Sequence, residues 1–205
     1  MLNDPISNEI DPRQYLFINY VDGYDDLVLC RNGEPIAALG KIAGCAYVPP
    51  RDEAICGDTV WYDVKIVGED VVATQGYVYK PTSKNYALYY INAYGGWDSL
   101  AIRGNIVQTD NIQSQTYKNK ANGKVKYLNA ITPSWQLHTD SMNDGSKMYH
   151  LLESTEVYLH NLETDEIIPV VITDSECVYK TYVNQGNTRF HYIINVEASN
   201  YKIRK

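Results

Sequence analysis

Residues 88–105 read LYYINAYGGWDSLAIRGN, and this stretch decides the fold. An apolar and aromatic run meets Gly95-Gly96. A second short run starts at once with Trp97-Asp98 and continues to Ile102. Adjacent glycines let the backbone reach positive φ or approach another chain closely. Tyr94 and Trp97 beside them supply large, flat contact area. The segment predicts a strand, a tight turn and a strand. Tyr94, Gly95, Gly96, Trp97 and Asp98 are candidates for a structural turn or a subunit contact.

Strand signals continue outward from it. Residues 14–20 (QYLFINY) and 27–31 are apolar, and Arg31-Asn32-Gly33-Glu34 is a hairpin signal before 35–39. Residues 59–67 alternate, with Val60, Tyr62, Val64 and Ile66 on one side and Trp61, Asp63 and Lys65 on the other. Gly68-Glu69-Asp70 joins them to another strand at 71–79. Further strands are expected at 86–92, 98–106, 125–131, 134–139, 156–160, 167–173 and 190–198, with 177–182 a further candidate. Asn161–Glu166 and residues 184–187 read as turns.

Two stretches read as loops. Residues 43–57 contain Pro49-Pro50 and Arg51-Asp52-Glu53. Residues 108–123 are polar and nearly free of large aliphatics, which predicts a long polar loop or arm. Gln113, Tyr117, Lys118 and Lys120 are its candidate inter-subunit contacts. One helix is expected near 143–154, capped by Asp140-Ser141 or Asn143-Asp144, with Met148, Leu151 and Leu152 forming an apolar stripe.

Strands arriving about every ten residues without strand–helix alternation indicate an all-β sandwich or barrel. The polar stretch 81–85 divides a β-rich N-terminal subdomain, 1–80, from a β-sandwich domain with one helix, 81–205. A single domain spanning both is the other arrangement. The 205 residues suffice for either, and no internal repeat is visible.

Composition narrows the function classes. Tyrosine is the outlier, with 19 Tyr against 2 Phe, which suits half-buried positions in thin β-layers and protein contacts. The formal net charge is −7, which argues against binding nucleic acid through a basic face. Lys118, Lys120, Lys124 and Lys126, and the terminal Lys202, Arg204 and Lys205, read as solvated charges. The spacings of Cys30, Cys45, Cys56 and Cys177 match no zinc template, so buried free thiols in a reducing cytosol are expected. The first residues show no signal-peptide pattern, and no apolar run approaches the length of a membrane span.

No motif for catalysis or a cofactor occurs. The chain lacks G-x-S-x-G, P-loop, H-E-x-x-H and dinucleotide patterns, and Gly95-Gly96 is not followed by the helix a phosphate site needs. His138 and Asp140 alternate on one strand with His150 nearby, but a third ligand at template spacing is missing, so no metal is expected. Asp25-Asp26, Asp52-Glu53 and Glu69-Asp70 fall in turns and read as solvated charges rather than a hydrolase pair. Trp61, Trp97 and Trp135 are the candidate platform of a carbohydrate-binding alternative; core or interface positions are the other reading.

The segment LYYINAYGGWDSLAIRGN resembles a motif of virion structural proteins of tailed bacteriophages of Bacteroidales, including crAss-like phages. The C-terminal stretch from Leu151 to Lys205, with its Ile-Pro-Val strand, Tyr-Lys-Thr-Tyr hairpin and terminal strand, resembles the ending of the same proteins. The resemblance covers residues 86–205. It implies a non-enzymatic virion protein of the neck or tail, made in the bacterial host cytoplasm. It would act as a ring-forming subunit of the head-to-tail connector or collar. Its implied partners are copies of itself in a cyclic ring, commonly twelvefold or sixfold, with the portal and adjacent tail or collar proteins. Genomic DNA would be passing channel content only; no membrane and no cofactor is implied. A distal tail or baseplate hub protein and a carbohydrate-binding host-adsorption module are the alternatives.

Overall fold

The computed structural model describes residues 9–20, 27–39, 44–48, 57, 59–66, 71–121, 123–139, 146–173, 178–184, 187–199 and 202–204. Its first strands are β1 (Glu9–Ile10), β2 (Leu16–Tyr20), β3 (Leu27–Arg31), β4 (Glu34–Ala38), β5 (Gly44–Val48), β6 (Thr59–Ile66) and β7 (Val71–Tyr79). Then come β8 (Tyr86–Ile91), β9 (Trp97–Ala101), β10 (Ile106–Asn119), β11 (Gly123–His138) and helix α1 (Ser146–Glu153). The chain ends with β12 (Val157–Asn161), β13 (Glu166–Ile172), β14 (Val178–Asn184), β15 (Asn187–Ala198) and β16 (Lys202–Arg204). Among the described residues the protein is all-β with one short helix, as its strand spacing predicts.

The N-terminal strands form a five-stranded sheet ordered β1-β7-β6-β3-β4 and a separate β2-β5 pair. All pairings are antiparallel except β1 with β7. The alternation in β6 works as expected: Val60, Tyr62 and Val64 are buried, while Trp61 is exposed. Leu16 and Ile18 of β2 join them, with Leu27, Leu29, Tyr77 and Tyr79, in one apolar core. On the opposite face the Trp61 ring lies over Gly76, where any Cβ would sit 2.6 Å from it. The Asn32-Gly33 turn between β3 and β4 takes positive φ at both residues, 48° and 87°, as a two-residue hairpin loop requires. The Asn32 side chain then accepts from Trp61 N–H at 2.9 Å and pins the turn to β6.

The remaining strands build a nine-stranded sheet whose main path runs β10-β11-β15-β13-β12-β8-β9, with β14 on β15 and β16 on β11. Its core holds Leu88 and Tyr90 of β8, Trp135 and Leu137 of β11, Val157 and Leu159 of β12, and Ile194 and Val196 of β15. Helix α1 closes this core with Met148 and Leu151, both fully buried. The residues expected to cap it, 140–144, lie outside those described.

β8 is buried on both faces, which explains its unbroken run YALYYI. Leu88 and Tyr90 enter the large core, while Ala87 and Tyr89 face the other way with Leu162. β2 alternates to meet them: Leu16 and Ile18 point into the N-terminal core, while Tyr15 and Phe17 pack on Ala87, Tyr89, Trp97 and Tyr158. A single strand thus lines two cores, and its period of two assigns the halves.

Two loop expectations are corrected. Residues 44–48 of the expected 43–57 loop form β5, paired with β2; 49–56 lie outside the described residues. The 108–123 stretch is no loop. Residues 106–119 form one long strand, paired in antiparallel register with β11 from Ile106↔Leu137 to Asn119↔Gly123. The expected strands at 125–131 and 134–139 are likewise one continuous strand, β11. The turns at 68–70 and 185–186 are not among the described residues.

Candidate functional site

Three features of the fold bear on function: the corner at 92–98, the aromatic seam behind it, and the β10–β11 hairpin.

The corner forms because Asn92 organises it. Its side-chain oxygen accepts from Tyr94 N–H at 2.9 Å and Gly96 N–H at 3.0 Å, and its amide donates to Asp98 Oδ2 at 2.8 Å. Gly95 sits at φ 81°, a conformation L side chains resist. Gly96 is buried, and a Cβ there would lie 2.6 Å from Asn19 Cγ. That close approach has a purpose. The Asn19 amide donates to Trp97 C=O at 2.8 Å, and its oxygen accepts from Trp97 N–H at 2.9 Å. One side chain thereby serves both main-chain groups that Trp97 presents at the sheet edge. Trp97 packs within the chain, 5.9 Å from Phe17 and 5.8 Å from Tyr158 between ring centroids. Tyr94 points outward, 68% exposed, with its ring 5.6 Å from that of His150, whose Nδ1 accepts from Ala93 N–H.

The seam holds a hydrogen-bonded relay. Tyr89 Oη accepts from Tyr15 N–H at 2.9 Å and donates to His160 Nδ1 at 2.7 Å. His160 Nε2 lies 2.9 Å from Asp165 Oδ1, so the ring is held between the hydroxyl and the carboxylate. Burial raises the Tyr89 hydroxyl well above the ordinary phenol range, so it stays protonated. Asp165 takes φ 55° in the β12–β13 turn, which aims its carboxylate back at the ring. Nearby, buried Asp11 binds Arg13 at 2.9 and 3.1 Å and Thr82 N–H at 2.6 Å. Burial pushes its carboxyl upward, but the Arg13 and Thr82 hydrogen bonds outweigh that and hold it below the usual carboxylate range. Arg13 also donates to Thr82 C=O and Asn85 Oδ1, tying the 81–85 connection to the N-terminal segment.

The other sequence candidates separate. His138 lies beside His191, with Nδ1 and Nε2 3.4 Å apart, and not beside His150 in any ligand set; Asp140 is outside the described residues. Among those residues, no three His, Cys, Asp or Glu side chains converge on a metal position. Cys30 is a buried free thiol. Asp25-Asp26, Asp52-Glu53 and Glu69-Asp70 lie outside the described residues. The three tryptophans share no surface. Trp135 is 4% exposed in the large core and Trp97 is in the seam, leaving only Trp61 of the three exposed. Trp135 and Trp97 take the packing positions of the other reading, so the three rings do not form one platform. Among the described residues, no helix is long and apolar enough to cross a membrane.

The hairpin carries Gln113, Tyr117, Lys118 and Lys120, all exposed. Every described side chain from Val107 to Lys118 is exposed, including Val107, Ile112 and Tyr117. β16 supports β11 only at Asn129–Ile131, and β15 supports it from Ser134 to His138. Residues 115–119 run on past these pairings, still in register with β11. At the hairpin's base, Gly104 donates to His138 C=O at 2.9 Å, where a Cβ would sit 2.5 Å from that oxygen. Sequence reading missed Gly104, Asn19 and His160, because each acts through a partner distant in sequence.

Compared with known proteins, the chain matches no family model and no characterised sequence.

Proposed function

We propose that this chain is a non-enzymatic structural subunit of a tailed-phage virion, assembling with its own copies into a closed ring at the head-to-tail connector or collar. The observation that carries the reading is the β10–β11 hairpin, a ribbon of 14-residue and 16-residue strands whose outer part is exposed. An isolated two-stranded ribbon is marginal in water, so a neighbour that covers it supplies the stability its own sheet does not. Heterologous contact between an arm and a different face of the next copy closes into a ring when the rotation permits. The resemblance of residues 86–205 to phage neck and tail proteins points the same way. On this reading Gln113, Tyr117, Lys118 and Lys120 belong to the arm, and Tyr94 is an exposed contact at the opposite end of the sheet path.

Electron microscopy of the virion with averaging at the head–tail junction tests this directly. The expected result is a ring of this chain at the neck, with the hairpin seated on the adjacent copy. Placement on peripheral fibres, or absence from the particle, overturns the reading.

A further inference from the structure

The hairpin's charge distribution carries a second conclusion that does not depend on ring position. From residue 111 to residue 139 the chain contains four lysines and no acidic residue, within a protein of net charge −7. The four lysines, Lys118, Lys120, Lys124 and Lys126, are all exposed and all at the tip. Lys118 lies directly opposite Lys124 in the β10–β11 register, and Lys126 pairs with Thr116 two positions along on the same face. Like charges directly opposite each other are destabilising in a strand pair. Cross-strand Cβ atoms stand about 5 Å apart, and residues two apart on a strand about 6.8 Å apart. The tip therefore presents three ammonium groups as a compact cationic face.

We infer that the hairpin tip is a contact site for the phosphate backbone of duplex DNA. A two-stranded ribbon is an element the major groove admits. Backbone contacts draw on lysine together with Ser, Thr, Asn, Gln and Tyr side chains, and Gln113, Ser114, Thr116 and Tyr117 stand exposed along the same ribbon. For the three tip lysines themselves a protein partner is the poorer fit, because interface cores are depleted in lysine; the adjacent copy would cover the ribbon below them. The acidic body does not forbid the contact. Past the β16 pairing, residues 115–119 extend the ribbon by about 17 Å, more than the ~8 Å over which charges act at physiological salt.

The test uses the full chain and a labelled random-sequence DNA duplex, with affinity read by fluorescence anisotropy across salt concentration. Four phosphate contacts make the affinity fall about a hundredfold between about 50 and 200 mM salt. The variant Lys118→Gln/Lys124→Gln/Lys126→Gln should lower the slope of log K against log salt by nearly 3, at about 0.9 per contact. Arginine at the same three positions should keep it, as should Lys84→Gln on the body. Thermal melting of each variant checks the fold. Three results overturn the inference: no duplex binding at about 50 mM salt, a slope the glutamine variant leaves unchanged, or tip-dependent self-association without DNA binding. The last would assign the tip to a second copy of this chain.

Discussion

Asp11 shows how much one buried side chain holds in this protein. Its carboxylate receives Arg13, Arg13 N–H and Thr82 N–H, with no solvent exposure of its own. Replacing it with asparagine removes the charge that Arg13 faces. Because Arg13 is itself partly in water, the expected loss is about 2–3 kcal/mol of unfolding free energy at neutral pH, below the range for fully buried pairs. The sign of the pH dependence follows from the lowered carboxyl. Its stabilisation is fully present above the ordinary Asp value and is lost as pH falls below about 4 and through the folded-state value. Urea titrations of wild type and Asp11→Asn should therefore converge in acid; curves that stay parallel would contradict the assignment. Gly96→Ala puts a Cβ into the Asn19 amide and breaks both hydrogen bonds to Trp97. A loss of about 2–3 kcal/mol is expected, from two partly buried hydrogen bonds at about 1 kcal/mol each plus displacement strain. The double glycine announced a tight turn in the sequence. The reason Gly96 must be glycine did not, because Asn19 lies 78 positions before Trp97 and nothing local marks the pair.

At the scale of elements, the legible strands were those with one dry face. β6 declared itself through Val60, Tyr62 and Val64, and α1 through Met148 and Leu151, because burial on one side writes a period into the sequence. β10 has no dry face beyond its first residues, so it carries no such period and reads as a loop. Its remaining signals were the Thr, Tyr and Ile residues among amides and the Ala121-Asn122-Gly123 turn. β5 was missed for a related reason, since its strand follows glycines and precedes Pro49-Pro50. The same logic predicts what excision does. Joining Ser114 to Asn129 through an Asn-Gly turn removes the ribbon tip but spares the β15 and β16 pairings. Thermal stability should change by less than about 1 kcal/mol, the range of surface changes, while duplex binding is lost. A large drop in melting temperature would mean that the tip supports its own subunit.

For the molecule as a whole, the seam decides whether the two β-halves behave as one body. β2 lines both cores, and Phe17 stands edge-on to Tyr89 at 5.3 Å. Calorimetry of the full chain should show one transition. Phe17→Ala should lower that transition by about 5–10 °C, as expected for about 2–3 kcal/mol in a chain of this size. Two transitions, with only the first moved, would show that the halves melt separately. The polar break at 81–85 hid this coupling in the sequence, because Arg13 and Asp11 span it with hydrogen bonds that no composition shift reveals. The Tyr89–His160–Asp165 relay has a practical corollary. The phenolic proton is buried under the seam, and its hydrogen-bonded path to water runs through His160 to the exposed Asp165. Its exchange with water, read in a proton spectrum, would report how tightly this protein shuts that path along its middle.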